Sequence, residues 1–184
     1  GNEPANLVEG LRDIAPCVVV HGGSSAVDEL AERLGRPTTS LASPQGFVSR
    51  RTDADTIELI AMAMAGRLNT ALVSRLQAAG IPALGLSGVD GRLLLGRRKD
   101  AIRAVVDGRV TVVRDDRSGT VESVNAGLLS LLLGAGYVPV LSPPILDGES
   151  GLPLNADADR IAAKVAAALG ARTLVLLTNV PGLL

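Results

Sequence analysis

Aromatic residues are almost missing from this chain: among 184 residues there are one Phe, one Tyr and no Trp. That argues against base stacking of the kind single-strand binders use, and leaves the core to Leu, Val, Ile and Ala. Cysteine occurs once, at Cys17, inside an apolar strand pattern. No internal disulfide can form, and a reducing, cytoplasmic setting is expected. Neither sign of charge is in excess: 18 basic and 19 acidic residues leave a formal net charge of -1. Nothing here calls for nucleic acid or an anionic membrane as the main partner, so a charged partner has to be met by a local patch. Long apolar runs are absent too; no stretch approaches the ~20 residues that span a bilayer, and a soluble protein is expected. What remains is 47% hydrophobic, enough for a real core in one domain or at most two.

Cys17-Val18-Val19-Val20 reads as a buried strand that stops at His21-Gly22-Gly23, and a helical pattern begins at Ser24. Such a turn aims backbone N–H groups and the positive helix end at one point, ready for an anion; an ordinary tight βα turn has the same appearance. Before it, Leu7, Val8, Leu11 and Ile14 predict a helix closed by Pro16. After it, Val27, Leu30, Ala31 and Leu34 predict a helix stopping at Gly35, followed by a long loop from Arg36 to Gly46. Thr52-Asp53-Ala54-Asp55 opens a helix of about 27 residues, long for a globular domain, with Ile57, Ile60, Met64, Leu68, Leu72 and Leu76 along one stripe. A helix of that length crosses the molecule, and part of it can face a second subunit.

Short strands are expected at Ile81–Leu86, Tyr137–Leu141 and Thr173–Leu177, and hairpins between Arg92 and Val124, broken at Asp107-Gly108 and Ser118-Gly119. Asn125 and Asn155 are expected to cap the last two helices. Strands alternating with helices predict a mostly parallel sheet covered on both faces, with ligands at the carboxyl ends of the strands.

Three polar clusters fall at those ends. Gly22, Gly23 and Ser24 form the first. In Ser49-Arg50-Arg51-Thr52-Asp53, a guanidinium could clamp a substrate carboxylate bidentately or simply be solvated. In Asn155-Ala156-Asp157-Ala158-Asp159-Arg160, Asn155 as the cap and Asp159 one turn later would share a helix face; a plain cap with a surface aspartate has the same spacing.

These clusters, in this order, with Leu86-Ser87-Gly88-Val89-Asp90-Gly91, Tyr137-Val138-Pro139-Val140 and Leu177-Thr178-Asn179-Val180-Pro181-Gly182, resemble the amino-acid kinase family and its acetylglutamate kinase branch. The resemblance covers nearly the whole chain and implies a three-layer α/β/α sandwich with a mostly parallel sheet and projecting β-hairpins. Gly46-Phe47-Val48-Ser49-Arg50, Asp90-Gly91-Arg92 and Gly96-Arg97-Arg98-Lys99 look most like the carrier-linked kinases of lysine biosynthesis. Those enzymes phosphorylate the side-chain carboxylate of an α-aminoadipate, or in some lineages a glutamate, attached to a small acidic carrier protein. Arg97, Arg98 and Lys99 would then be the basic patch that meets the carrier; a solvated hairpin face has the same composition. An N-acetylglutamate kinase of arginine biosynthesis is the neighbouring alternative, and a non-catalytic amino-acid-binding module is the alternative of another class.

The resemblance implies transfer of the ATP γ-phosphoryl, with Mg²⁺, to a carboxylate, giving an acyl phosphate. A carboxylate is already ionised at neutral pH, so no general base is required, which suits a chain with a single histidine. Gly22, Gly23 and Ser24 would donate to the phosphoryl or substrate side, Arg50 would bind the substrate carboxylate, Asn155 the substrate backbone, and Asp159 would orient the catalytic lysines, with His21 supporting the turn. The family's two lysines have no counterpart, since neither Lys99 nor Lys164 matches their positions. Residues 1–154 are therefore expected to be an acceptor lobe lacking its first strand, and residues 155–184 the start of a nucleotide-binding lobe, within a cytoplasmic homodimeric enzyme.

Overall fold

The computed structural model describes residues 10–11, 14, 16–106 and 109–177. Its centre is a three-stranded parallel sheet in which β9 (Val138–Ser142) lies between β1 (Val19–Val20) and β4 (Ala83–Ser87). All five residues of β9 are buried, as a parallel strand covered on both faces must be. Alternation along the strands divides the core. Val19, Val138 and Val140 pack with Leu76 on one side, and Val20 and Leu141 pack with Leu129 and Ile161 on the other.

The first side is covered by the helix that Asp53 opens, its carboxylate accepting the Thr56 N–H at 2.9 Å. The helix runs from Ala54 to Ala78 and is not uniform: α2 (Ala54–Ile60) passes into a π-helical segment (Ala61–Leu68) and then into α3 (Asn69–Ala78). The uninterrupted stripe expected through Leu68 is thereby displaced. A π segment has a wider turn than an α-helix, so the face drifts, and Asn69 is buried where Leu68 is only half-buried. By length and composition this helix could cross a bilayer, but it packs on β4 and on α1 (Ser24–Arg33) as the core helix of a sandwich does. Val27, Ala31, Ile57, Ile60 and Met64 join α1 to it.

The second side is covered by α4 (Ala126–Gly134), capped as expected by Asn125, and by α5 (Ala158–Leu169). Two smaller sheets project. One orders β11 (Pro153–Leu154), β10 (Ile145–Asp147), β5 (Leu94–Arg98) and β8 (Gly119–Val124); the other, antiparallel throughout, orders β3 (Val48–Arg50), β2 (Ser40–Ala42), β6 (Ile102–Val106) and β7 (Arg109–Val113). The expected loop from Arg36 to Gly46 thus contains β2. Ser40-Leu41-Ala42 pairs with Val48–Arg50 across a turn that Gly46 closes at φ 86°, and this pairing buries Leu41.

Residues 173–177, expected as a strand, have no regular structure. No strand among the described residues pairs with them, and Leu174, Val175, Leu176 and Leu177 are exposed. Most of the predicted first helix, the Asp107-Gly108 turn and Thr178 to Gly182 lie outside the described residues; Gly10, Leu11 and Ile14 are helical.

Candidate active site

The His-Gly-Gly turn leaves the carboxyl end of β1, where the His21 N–H donates to the Leu141 carbonyl at 2.9 Å. Gly22 is tightly packed, and Gly23 has a backbone conformation, φ 157°, that a side chain rarely adopts. A Cβ on Gly22 would stand 3.3 Å from the Ala158 Cβ at the start of α5, and one on Gly23 would collide with Leu68 Cδ1. Gly23 is the N-cap of α1, and this helix start has no side-chain cap and no acidic residue in its first turn. By contrast, Asp53, Asn125 and Asp157 cap α2, α4 and α5 with side-chain oxygens. The first turn of α1 therefore has no side-chain acceptor for its N–H groups among the described residues, the geometry in which a helix start can receive an anion.

Arg50 ends β3 beside that turn. Its Nη2 donates to the Ser24 carbonyl at 2.9 Å and to Asp28 Oδ1 at 2.7 Å, and its side chain is 11% exposed. Thr38 Oγ1 donates to the same Asp28 oxygen at 2.6 Å. Partial burial alone would raise the Asp28 carboxyl; the Thr38 and Arg50 hydrogen bonds outweigh it and hold the group below its ordinary range. Asp28 thus fixes the guanidinium from α1, a role hidden in the sequence, where Asp28 reads as one of several helix-surface acids. Arg51 turns away to an exposed ion pair with Asp115 at 2.6 Å.

A second tie joins this segment to Asn155. Thr52 is fully buried; its N–H donates to Asp116 Oδ2 at 2.8 Å, and Asp116 Oδ1 accepts the Ser118 N–H at 2.7 Å. Asn155 Nδ2 donates to Thr52 Oγ1 at 3.2 Å, while the Asn155 N–H and carbonyl bond to Arg117 and Gly119. Asp116 is 2% exposed. Sequence reasoning missed it, because in Asp115-Asp116 between two strands nothing local separates the solvated carboxylate from the buried one.

The expectation that Asn155 caps the last helix is corrected. Asp157 does so, its Oδ1 accepting the Arg160 N–H at 2.9 Å, and α5 begins at Ala158. Asn155 is instead held in extended pairing with Ser118, which turns its amide toward Thr52 rather than along the helix. It therefore shares no helix face with Asp159, which is exposed in the first turn of α5 and has no polar partner among the described residues. Contacts nonetheless tie these segments together: Gly22 packs on Ala158, Arg50 bonds to Ser24 and Asp28, and Asn155 bonds to Thr52, two residues after Arg50. Of the basic trio, Arg97 and Lys99 are exposed, whereas Arg98 is spent on the fold, donating to the carbonyls of Asp116 at 2.8 Å and Arg114 at 2.6 Å.

A parallel sheet between helices, with a glycine turn and a clamped arginine at its carboxyl end, defines a protein of the amino-acid kinase fold. The chain belongs to the amino acid kinase family, whose profile matches residues 3–184. It is 51% identical over 180 residues to a LysW-aminoadipate kinase of Deinococcus radiodurans, covering 98% of this chain and 61% of that protein. It is 52% identical over 167 residues to a LysW-aminoadipate kinase of Thermus thermophilus, covering 91% and 62%. The chain thus spans about three fifths of the length of these curated relatives. The crystal structure of smu.665 from Streptococcus mutans UA159 superposes with a TM-score of 0.78 at 26% identity, covering all of this chain and 68% of that one.

Proposed function

We propose that the enzyme to which this chain contributes transfers the γ-phosphoryl of ATP, with Mg²⁺, to the side-chain carboxylate of α-aminoadipate, or of glutamate, carried on a small acidic protein. The observation that carries this reading is the pairing of two anion receptors on one residue. The uncapped start of α1 begins at Ser24, and Arg50 is anchored to the carbonyl of that same Ser24. A carboxylate at Arg50 and a phosphoryl group at the helix start would meet there, with the positive ends offsetting two anions that repel one another. The new O–P bond forms as the bridge to ADP breaks, and no proton need move.

The residues present suit a nucleotide-borne Mg²⁺ rather than a standing metal centre. Among the described residues no cluster of three His, Cys, Asp or Glu side chains is placed to hold a metal, and Mg²⁺ is commonly carried by phosphates, waters and one or two carboxylates. On this reading residues 1–154 form the acceptor lobe, residues 155–184 open the nucleotide-binding lobe, and Asp159, exposed at the start of α5, orients the lysines that act on the phosphates.

The names of the relatives support a carrier-borne substrate. Arg97 and Lys99 are free to meet an acidic carrier. Beside Arg50, the face of the β3-β2-β6-β7 sheet bearing Val48, Val105, Val110 and Val112 is open, as is Phe47 at its turn, and suits the carrier's apolar surface. Met62 on the long helix and Leu84 on the edge strand β4 are also exposed, which supports a homodimer. The test is phosphorylation by the full-length enzyme of carrier-linked aminoadipate against free N-acetylglutamate, with the acyl phosphate trapped by hydroxylamine. Efficient use of the free substrate and neglect of the conjugate sinks the reading. Sedimentation showing only monomer sinks the dimer.

A further inference from the structure

Behind the glycine turn lie His21, to which the resemblance gives only support of the turn, and Asn69, to which the reaction proposed above gives no task. Asn69 is 4% exposed, at the point where the π-helical segment returns to α-helix. Its Nδ2 donates to the Val140 carbonyl of β9 at 2.9 Å. A carbonyl only accepts, so this bond settles which way the amide faces. The same Nδ2 faces His21 Nε2 at 3.2 Å; Nε2 must therefore accept, and the ring proton stands on Nδ1. From Nδ1 that proton is donated to the Gly22 carbonyl at 2.8 Å.

In a trans peptide the carbonyl and the following N–H point in opposite directions. Holding the Gly22 carbonyl toward His21 therefore aims the Gly23 N–H, at the N-cap of α1, away from the imidazole. The arrangement depends on the π turn and on two glycines. A Cβ on Gly85 would strike Asn69 Oδ1, and one on Gly23 would strike Leu68 Cδ1, so a side chain at either glycine would force Leu68 or Asn69 to shift. We propose that His21 and Asn69 are positioning residues: anchored to the central strand at Val140, they set the Gly22–Gly23 peptide so that the Gly23 N–H is presented to the transferring phosphoryl group. The aim of that N–H rests on the kinase reading above; the hydrogen-bonded pair does not.

The test uses the full-length enzyme, each variant being checked for a native circular dichroism spectrum. Long-range ¹H–¹⁵N spectra at neutral pH, with the His21 signals identified by their loss in His21→Asn, are expected to show a neutral ring protonated at Nδ1, and Asn69→Asp is expected to abolish that signature. In steady-state kinetics, Asn69→Asp and His21→Leu are expected to lower kcat about tenfold and leave KM for the carboxylate substrate within about twofold, since donor direction matters most in the transition state. His21→Asn, whose amide puts an N–H donor near the place of Nδ1, is expected to recover most of that loss. A wild-type ring protonated at Nε2 overturns the proposal. So does His21→Leu with wild-type kcat, or a loss confined to KM. Because the tautomer is read without substrate, an Nδ1-protonated ring in an enzyme that phosphorylates no carboxylate overturns the kinase reading while the hydrogen-bonded pair stands.

Discussion

Arg50 and Asp116, the one two residues before Thr52 and the other bonded to its N–H, show how differently two charged side chains can be used. Arg50 is oriented from behind by Asp28 and Ser24, both bonded to Nη2, so that the rest of its fork can face an acceptor. Lysine has neither the fork nor the planarity, and Arg50→Lys is expected to raise KM for the carboxylate substrate about tenfold or more, with a smaller effect on kcat, in steady-state assays. Asp116 touches no substrate in this scheme; it accepts the N–H groups of Thr52 and Ser118 inside the protein. Asp116→Ala strands both donors and is expected to cost about 3 kcal/mol in urea unfolding, whereas Asp115→Ala, which breaks only an exposed pair with Arg51, is expected to cost less than about 0.5 kcal/mol. Equal losses for the two neighbours would contradict this division.

Among the elements, the helix starts are the informative ones. α2 is closed by Asp53, whose carboxyl is held below its ordinary range first by the Thr56 N–H bonded to it, a pull that partial burial opposes. A carboxyl depressed in the native state stabilises fully above its unfolded value near ~4, and that contribution is lost as pH falls through the lower native value. Asp53→Ala is therefore expected to cost about 1 kcal/mol at neutral pH and to flatten the acid side of the stability profile, as measured by thermal melts across pH 2–7. α1 lacks any such side-chain cap, which as a purely structural feature would be a weakness; beside Arg50 it suits the anion-binding role proposed above. The π-helical segment belongs at this scale too. Nothing in the run Ala61–Leu68 marks a wider turn, since its small and flexible residues suit an α-helix equally; what goes with the segment is remote, Leu68 against the glycine turn at Gly23 and Asn69 against Gly85 and Val140 of the sheet.

For the whole molecule the near-zero net charge and the exposed Arg97 and Lys99 imply attraction that is local and therefore sensitive to salt. With Arg97→Glu and Lys99→Glu combined, KM for the carrier-linked substrate is expected to rise about tenfold at low ionic strength and much less near 0.5 M salt, with kcat unchanged; an effect equal at both would point to a structural cause. Much of the architecture was legible from local patterning. The strand ending at His21-Gly22-Gly23, the long helix opened by Asp53, the Asn125 cap and the buried run of β9 all follow from periodicity and turn chemistry over a few residues. β2 was not legible, because a short Ser-Leu-Ala strand is defined by its partner and not by its composition. Residues 173–177 have a strand's composition and no partner among the described residues to pair with. The sequence by itself determined the alternation of strands and helices, the glycine turn after the first strand and the Asp53 helix start, since each depends on neighbours close in the chain. Only the tertiary structure decided that Asp157 caps α5, that Asp28 rather than solvent holds Arg50, and that Asp116 and Asn69 are buried. The deciding partners are remote, 22 residues apart for Asp28 and Arg50, 64 for Thr52 and Asp116, and 71 for Asn69 and Val140, and hydrogen bonds over such separations exist only once the chain has closed on itself.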